Sequence, residues 1–313
     1  MSVDPLKSPI PVDAPIPVDV PFPVDTPLPL DAPLPVDAPL PGDSPLRVEA
    51  PRPGGCPLPG VVDALRAAGC VFAEDEAALL VSAAGSATEL RAMVERRATG
   101  RPLEHVLGWA EFRGLRFAVD AGVFVPRRRT EFLVERAAAI AAPGALVVDL
   151  CCGSGALGAA LLAALDGDAE LHATDIDPAA VRCARRNVTP VGGLVYEGDL
   201  YAPLPPALRG RVDVLLANVP YVPTDEVGLL PPEARVHEAR LALDGGADGL
   251  DVLRRVAGDA GRWLTPGGSL LFETSERQAD RAVGIVAASG LVPHVAGCED
   301  RYATAVTATR PRD

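Results

Sequence analysis

Aromatic residues are scarce in this chain, at 4% of 313 residues, and basic residues are outnumbered. There are 29 Lys and Arg against 42 Asp and Glu, so the formal net charge is −13. That balance argues against a broad surface for duplex DNA or anionic lipid, because phosphate recognition concentrates Lys and Arg. The six cysteines, Cys56, Cys70, Cys151, Cys152, Cys183 and Cys298, form no C-x-x-C pair and have no histidine at zinc-finger spacing. Small buried thiols in a reducing cytoplasm are the expectation, with no metal site. No basic segment followed by an apolar core opens the chain, so no secretory leader is expected. One apolar run, Leu150 to Leu165, is shorter than the roughly 20 residues of a helical membrane span. It also holds Gly153, Gly155 and Gly158, which suit a strand, a loop and a helix.

Proline, by contrast, is abundant near the N-terminus. Asp13, Asp19, Asp25, Asp31, Asp37 and Asp43 recur every six residues in units such as PVDAPI and PLDAPL. Proline at this density blocks helix and central strand, so residues 1–56 are expected to form an extended, disordered tail. It reads as a docking segment, as a solvated acidic tail, or as translation from a misplaced start codon. Residues 57–108 turn helical. GVVDALRAAG and EDEAALLVSAAG each stop at a glycine, and ATELRAMVERRATG spaces Leu90, Met93, Val94 and Arg97 by three and four. Thr88 is a candidate cap for that last helix. A helical domain of about 50 residues is too small to be robust alone and should pack on the larger domain C-terminal to it. Residues 109–125 read as a β-hairpin linker centred on DAG, Asp120 to Gly122.

From residue 126 to 313, strand and helix signatures alternate. ALVVDLC, ELHATDID, GLVYEGD, VDVLLAN and GSLLFET are strands, with helices such as PAAVRCARRN and DGLDVLRRVAGDAGRWL between them. Apolar strands alternating with helices predict an α/β fold with a mostly parallel sheet covered on both faces. LVPHVAGCE and RYATAVTATR follow one another without a helix, which predicts an antiparallel edge.

Four constellations fall at successive strand ends. In VVDLCCGSGALG, Asp149 closes a buried strand and Gly153 and Gly155 sit in the turn before a helix, where backbone can approach a ligand. Alone this is as consistent with a tight turn. Asp175, about twenty residues on, is placed to accept from two ribose hydroxyls, with Asp177 capping the next helix ahead of Pro178. Asp199 can accept from an adenine amine, with Leu200 flanking the ring. Each aspartate alone reads as a cap or a solvated turn, but three at successive strand ends point to a nucleoside. The fourth is Asn218–Val219–Pro220–Tyr221. A planar amide or aromatic amine is a poor nucleophile because its lone pair is delocalised. The Asn218 side-chain oxygen and the Val219 carbonyl can accept from its two N–H groups. They would also stabilise the positive charge that grows as nitrogen attacks a sulfonium methyl. Pro220 stiffens the turn, and the Tyr221 ring can cover the planar group. The competing reading is an ordinary Asn-x-Pro turn.

With these residues in place, the chain resembles the HemK/PrmC family of protein-(glutamine-N5) methyltransferases, which modify peptide-chain release factors. The likeness spans roughly residues 70 to 310. It runs through RPLEHVLGWAEFRGLRFAVDAGVFVPRRRTEFLVE, DLCCGSG, ATDIDPAAV, GDLY, NVPY, HEARLALDGGADGLDVLRRV and GGSLLFE. The resemblance implies a Rossmann-like class I S-adenosylmethionine methyltransferase fold, a seven-stranded sheet with an antiparallel edge preceded by a helical domain and a hairpin. It implies S-adenosylmethionine held by Asp149, Cys151, Cys152, Gly153, Ser154, Gly155, Asp175, Asp199, Leu200 and Asn218. Asn218, Val219, Pro220 and Tyr221 would be the catalytic set. It implies a cytoplasmic enzyme whose partner is a protein with an exposed glutamine, a release factor or a ribosomal protein, possessing no direct DNA or membrane affinity. Val219 departs from the first proline of the family's Asn-Pro-Pro-Tyr, and Cys151 and Cys152 from its glycine and threonine. The valine keeps the carbonyl but frees φ and adds an N–H.

Two rival functions stay open on sequence. A nucleic-acid amine methyltransferase uses a similar clamp, and Arg127, Arg128, Arg129, Arg182, Arg185 and Arg186 are candidate phosphate contacts. A non-catalytic cofactor-binding module is the other. Glu131 and Glu238 sit in family-like segments and read equally well as residues near the active site and as salt-bridge partners. His105, His172, His237 and His294 receive no catalytic role.

Overall fold

In the computed structural model, residues 59–312 are described. The expected tail, its aspartate repeat and Cys56 lie outside them.

Four helices open this region: α1 (Pro59–Ala67), α2 (Ala73–Ala83), α3 (Ala87–Ala98) and α4 (Leu103–Leu107). Leu65, Leu80, Met93 and Val106 share one small core. The cap of α3 is Ser86, not Thr88. Its hydroxyl accepts from Glu89 N–H at 3.1 Å, while the Glu89 carboxylate accepts from Gly85 N–H at 2.8 Å. This is close to a capping box, and it satisfies donors that one threonine inside the helix cannot reach.

The hairpin pairs β1 (Trp109–Phe112) with β2 (Leu115–Ala118), Phe112 opposite Leu115. Its turn is Arg113–Gly114, with φ of 52° and 69°, and not the DAG segment. Two consecutive positive φ values give the type I′ turn whose twist matches a hairpin. The DAG segment instead runs back along the body of the protein, where Gly122 bridges to Glu238.

The main sheet has seven strands: β3 (Ala145–Leu150), β4 (Ala169–Asp175), β5 (Leu194–Glu197), β6 (Val212–Ala217), β7 (Leu264–Thr274), β8 (Val292–Cys298) and β9 (Ala303–Thr309). Their order is β5-β4-β3-β6-β7-β9-β8. Pairings from β5 to β7 are parallel, and β9 is antiparallel to both β7 and β8. The helices are α5 (Glu131–Ala138), α6 (Ala156–Ala164), α7 (Pro178–Val188), α8 (Pro232–His237), α9 (Asp251–Trp263) and α10 (Ala279–Ala288).

Side-chain alternation explains the continuous apolar strands. Leu146, Val148 and Leu150 of β3 face one core with Leu253, Val256 and Val286 of α9 and α10. Val147 faces the other, with Leu133, Leu157 and Leu161 of α5 and α6. Both faces are dry, so both parities must be apolar. A fully buried leucine here contributes roughly 2 kcal/mol of transfer free energy. Strand order reverses direction between β3 and β6, and a crevice opens at the carboxyl ends of the strands there. Among the described residues no helix is long and apolar enough to cross a membrane.

Candidate active site

Over the carboxyl ends of β3, β4 and β6 lies a cavity of about 470 Å³. Asp149, Cys151, Cys152, Gly153, Ser154, Asp175, Asp199, Leu200, Asn218, Val219, Pro220 and Tyr221 all line it. Of the residues expected from sequence, Gly155 alone is absent from its wall. Gly155 has φ +76°, and a Cβ there would sit 2.6 Å from Val188 Cγ2. It seats α6 against α7.

Asp149 is completely buried. Its Oδ2 accepts from Gly158 N–H at 2.9 Å, while its Oδ1 has no partner. Burial pushes its pKa up to about 7, opposed by the Gly158 N–H and reinforced by Asp175. Asp175 accepts from Gly153 N–H at 2.8 Å and Asp177 N–H at 2.9 Å. These bonds tie the strand end to the loop, although burial still raises its pKa. Asp177 caps α7 by accepting from Ala179 N–H at 2.8 Å. Asp199 is paired with Arg255 of α9 at 2.5 Å, with Arg255 also on the cavity wall. Cys151 adopts φ +54°, and Cys152 donates its N–H to the Thr174 carbonyl. Burial, then the nearby aspartates, drive both thiols above their usual pKa, so they stay protonated.

The donor set fits S-adenosylmethionine. A buried carboxylate oxygen without a partner on a cavity wall suits an ammonium group, since an orphaned anion is costly to bury. A second carboxylate at the next strand end, held by two backbone donors, suits vicinal hydroxyls.

Asn218 and Val219 follow β6 directly. Val219 is 2% exposed and packs into the core with Leu250 and Leu253. A valine therefore fills apolar space where the family carries proline. Behind the turn lies the DGGADGL loop. A Cβ on Gly249 would sit 2.2 Å from the Tyr221 carbonyl oxygen, so only glycine lets the two backbones touch. Gln278 donates from its amide to that same carbonyl at 2.9 Å and to the Asp248 carbonyl at 3.1 Å. These contacts place the loop directly behind the Asn218–Tyr221 segment.

Glu273 and Asn187 were not singled out from sequence. Glu273, near the end of β7, accepts from Arg129 Nε at 2.6 Å, from the Tyr221 hydroxyl at 3.1 Å and from Thr130 Oγ1 at 2.7 Å. The Arg129 guanidinium also donates to the Tyr221 hydroxyl. Burial first, then Glu273, push the Tyr221 phenol up to about 12. Asn187 of α7 bonds both backbone groups of Ala118, at 2.8 and 2.9 Å, and the Ser154 carbonyl at 2.8 Å. It stitches the hairpin to the glycine loop. Glu238 lies on the cavity wall, its side chain buried beneath Arg127, which donates to both oxygens at 2.6 and 2.7 Å. Glu131 accepts from Arg113 N–H at 3.0 Å. Of the six candidate phosphate-binding arginines, Arg127, Arg129 and Arg186 are committed to carboxylates. A glutamate near the end of an apolar strand was the available signal for Glu273. Its partners are 52 and more than 140 residues away in sequence, beyond any local pattern.

Comparison with known proteins agrees with this geometry. A family model described as methyltransferase small domain matches residues 114–249. The release factor glutamine methyltransferase of Geobacter sulfurreducens is 40% identical over 202 residues, covering 64% of this chain and 70% of that protein. That of Cereibacter sphaeroides is 39% identical over 210 residues, covering 66% and 73%. That of Mycobacterium tuberculosis is 37% identical over 226 residues, covering 69% and 74%. Cavity, sheet order and these relatives lead to one conclusion: the chain belongs to the release factor glutamine methyltransferase family, and it is an S-adenosylmethionine-dependent methyltransferase.

Proposed function

We propose that this protein methylates the side-chain amide nitrogen of a glutamine in a peptide-chain release factor, in an exposed Gly-Gly-Gln loop. The observation that carries the reading is that Asn218 and Val219 open onto the same cavity as Asp149 and Asp175. The bound S-adenosylmethionine supplies a methyl group on a positively charged sulfur, so the leaving group is already activated. Asp149 and Asp175 would hold its ammonium and ribose hydroxyls, with Asp199 and Leu200 at the adenine.

The remaining chemistry belongs to the chain. Asn218 Oδ1 and the Val219 carbonyl accept from the two N–H groups of the glutamine amide. That fixes its plane and offsets charge as nitrogen becomes bonded to carbon. The Tyr221 ring covers the amide and excludes water. After transfer the nitrogen is strongly acidic and its extra proton leaves to solvent, so no dedicated base is required. A release-factor acceptor implies a cytoplasmic reaction. The names of the relatives support this acceptor over a ribosomal protein, and the arginines bound to carboxylates weigh against a nucleic acid.

The test is incubation with isotopically labelled S-adenosylmethionine and purified release factors, followed by peptide mapping. One methyl on one glutamine is expected, lost in Asn218→Ala. No label on any release-factor glutamine would overturn the reading.

A further inference from the structure

Tyr221 is held at two ends by parts of the chain that the acceptor clamp does not include. Its carbonyl is fixed by Gln278. Its hydroxyl donates to Glu273 and accepts from Arg129, so its proton is already committed. Glu273 has only 5% of its side chain exposed and satisfies three donors with its two oxygens. These donors come from the segment before α5 and from the turn after β6, while Glu273 stands near the end of the neighbouring strand β7. A buried carboxylate of this kind, with every donor positioned, has few alternative arrangements.

We propose that Glu273, Arg129 and Thr130 are positioning residues for methyl transfer: they lock the Tyr221 ring and through it the Asn218–Tyr221 turn. The inference rests on reading that turn as the acceptor clamp. The phenol is an anchor in this arrangement, and its ring face is the surface presented to the amide. An unanchored ring samples several rotamers, and the amide plane it covers samples several tilts. Transfer depends steeply on alignment, so the loss falls on turnover and spares binding.

A double-mutant cycle reads this. Tyr221→Phe keeps the ring and removes the anchor. Glu273→Gln keeps the size and removes the charge. Each is expected to lower kcat about tenfold, with KM for the acceptor within about twofold and cofactor affinity unchanged. The double variant is expected to be no slower than the slower single, because both remove the same contact. Multiplied effects, or wild-type turnover in either single variant, would overturn the proposal.

A second measurement reads the lock without catalysis. The chain has four tyrosines, so ring-labelled tyrosine gives a simple spectrum, and the Tyr221 signal is assigned by its loss in Tyr221→Phe. Its ring-flip rate should rise several-fold in Glu273→Gln and in Arg129→Lys. An unchanged rate refutes the lock even if no acceptor is ever methylated. Absent methyl transfer by the wild type, with a flip rate that responds, refutes the acceptor reading and leaves the lock standing.

Discussion

At Asp149 burial changes the protonation of a residue on the cavity wall. Its folded pKa of about 7 lies above the ordinary aspartate value of 3.8. The folded state therefore holds this proton more tightly than the unfolded chain. Its contribution to stability is full below about pH 4 and is lost as pH rises towards 7. A bound ammonium reverses the preference and favours the carboxylate. Cofactor affinity should thus strengthen by roughly tenfold between pH 6 and pH 8, as expected for one group titrating near 7. Calorimetric titration checks this, and Asp149→Asn should bind weakly with a flat profile. A profile of equal slope in that variant would assign the dependence elsewhere. The sequence places Asp149 at a strand end, but an orphaned oxygen is a property of the atoms packed around it.

Among the elements, the joint between α3 and α8 sets the position of a cavity wall. Arg97 is buried and grips Glu76 of α2 through two bonds, of 2.6 and 3.0 Å. It also reaches Glu233 of α8 at 2.6 Å, and Glu233 lines the cavity. On sequence Arg97 falls on the apolar stripe of α3, where an arginine is anomalous, and the two carboxylates supply the reason. Removing one partner from a buried pair strands the others, so Arg97→Ala should cost on the order of 3 kcal/mol in urea unfolding. Arg97→Lys should recover only part, because an ammonium cannot make the forked pair with Glu76. A loss within about 0.5 kcal/mol would show the bridge to be surface-like. The hairpin teaches the same lesson differently. Arg-Gly and Asp-Ala-Gly are both turn-compatible, and only pairing Phe112 with Leu115 decides between them.

At the scale of the whole molecule, the cavity joins the strand ends of the sheet, the hairpin side and the loop carrying α8, so ligand binding should stabilise all of them together. Cofactor at about 100 times its dissociation constant adds about 2.7 kcal/mol to the folded state. For a domain of this size that is a rise on the order of 5 °C in melting temperature. Differential scanning calorimetry with S-adenosylmethionine, and with Asp149→Asn as control, measures it. An unshifted wild-type transition would contradict the ligand assignment. The acidic surface is consistent with the many arginines being spent on carboxylates, as Arg254 is on Asp248 and Arg301 on Glu135.

The amino-acid sequence alone determined the alternation of strand and helix, the antiparallel edge and the aspartates at successive strand ends. Those features are local: apolar runs, glycine turns and caps are decided by neighbours within a few residues. The Asn218–Tyr221 motif was legible for the same reason. Tertiary structure alone decided that Gly155 packs α6 against α7, that Val219 fills the core, and which partners Glu273, Arg129 and Asn187 meet. Each of these depends on which distant surfaces meet when the sheet closes. Burial and partner choice across such separations are set by the fold as a whole.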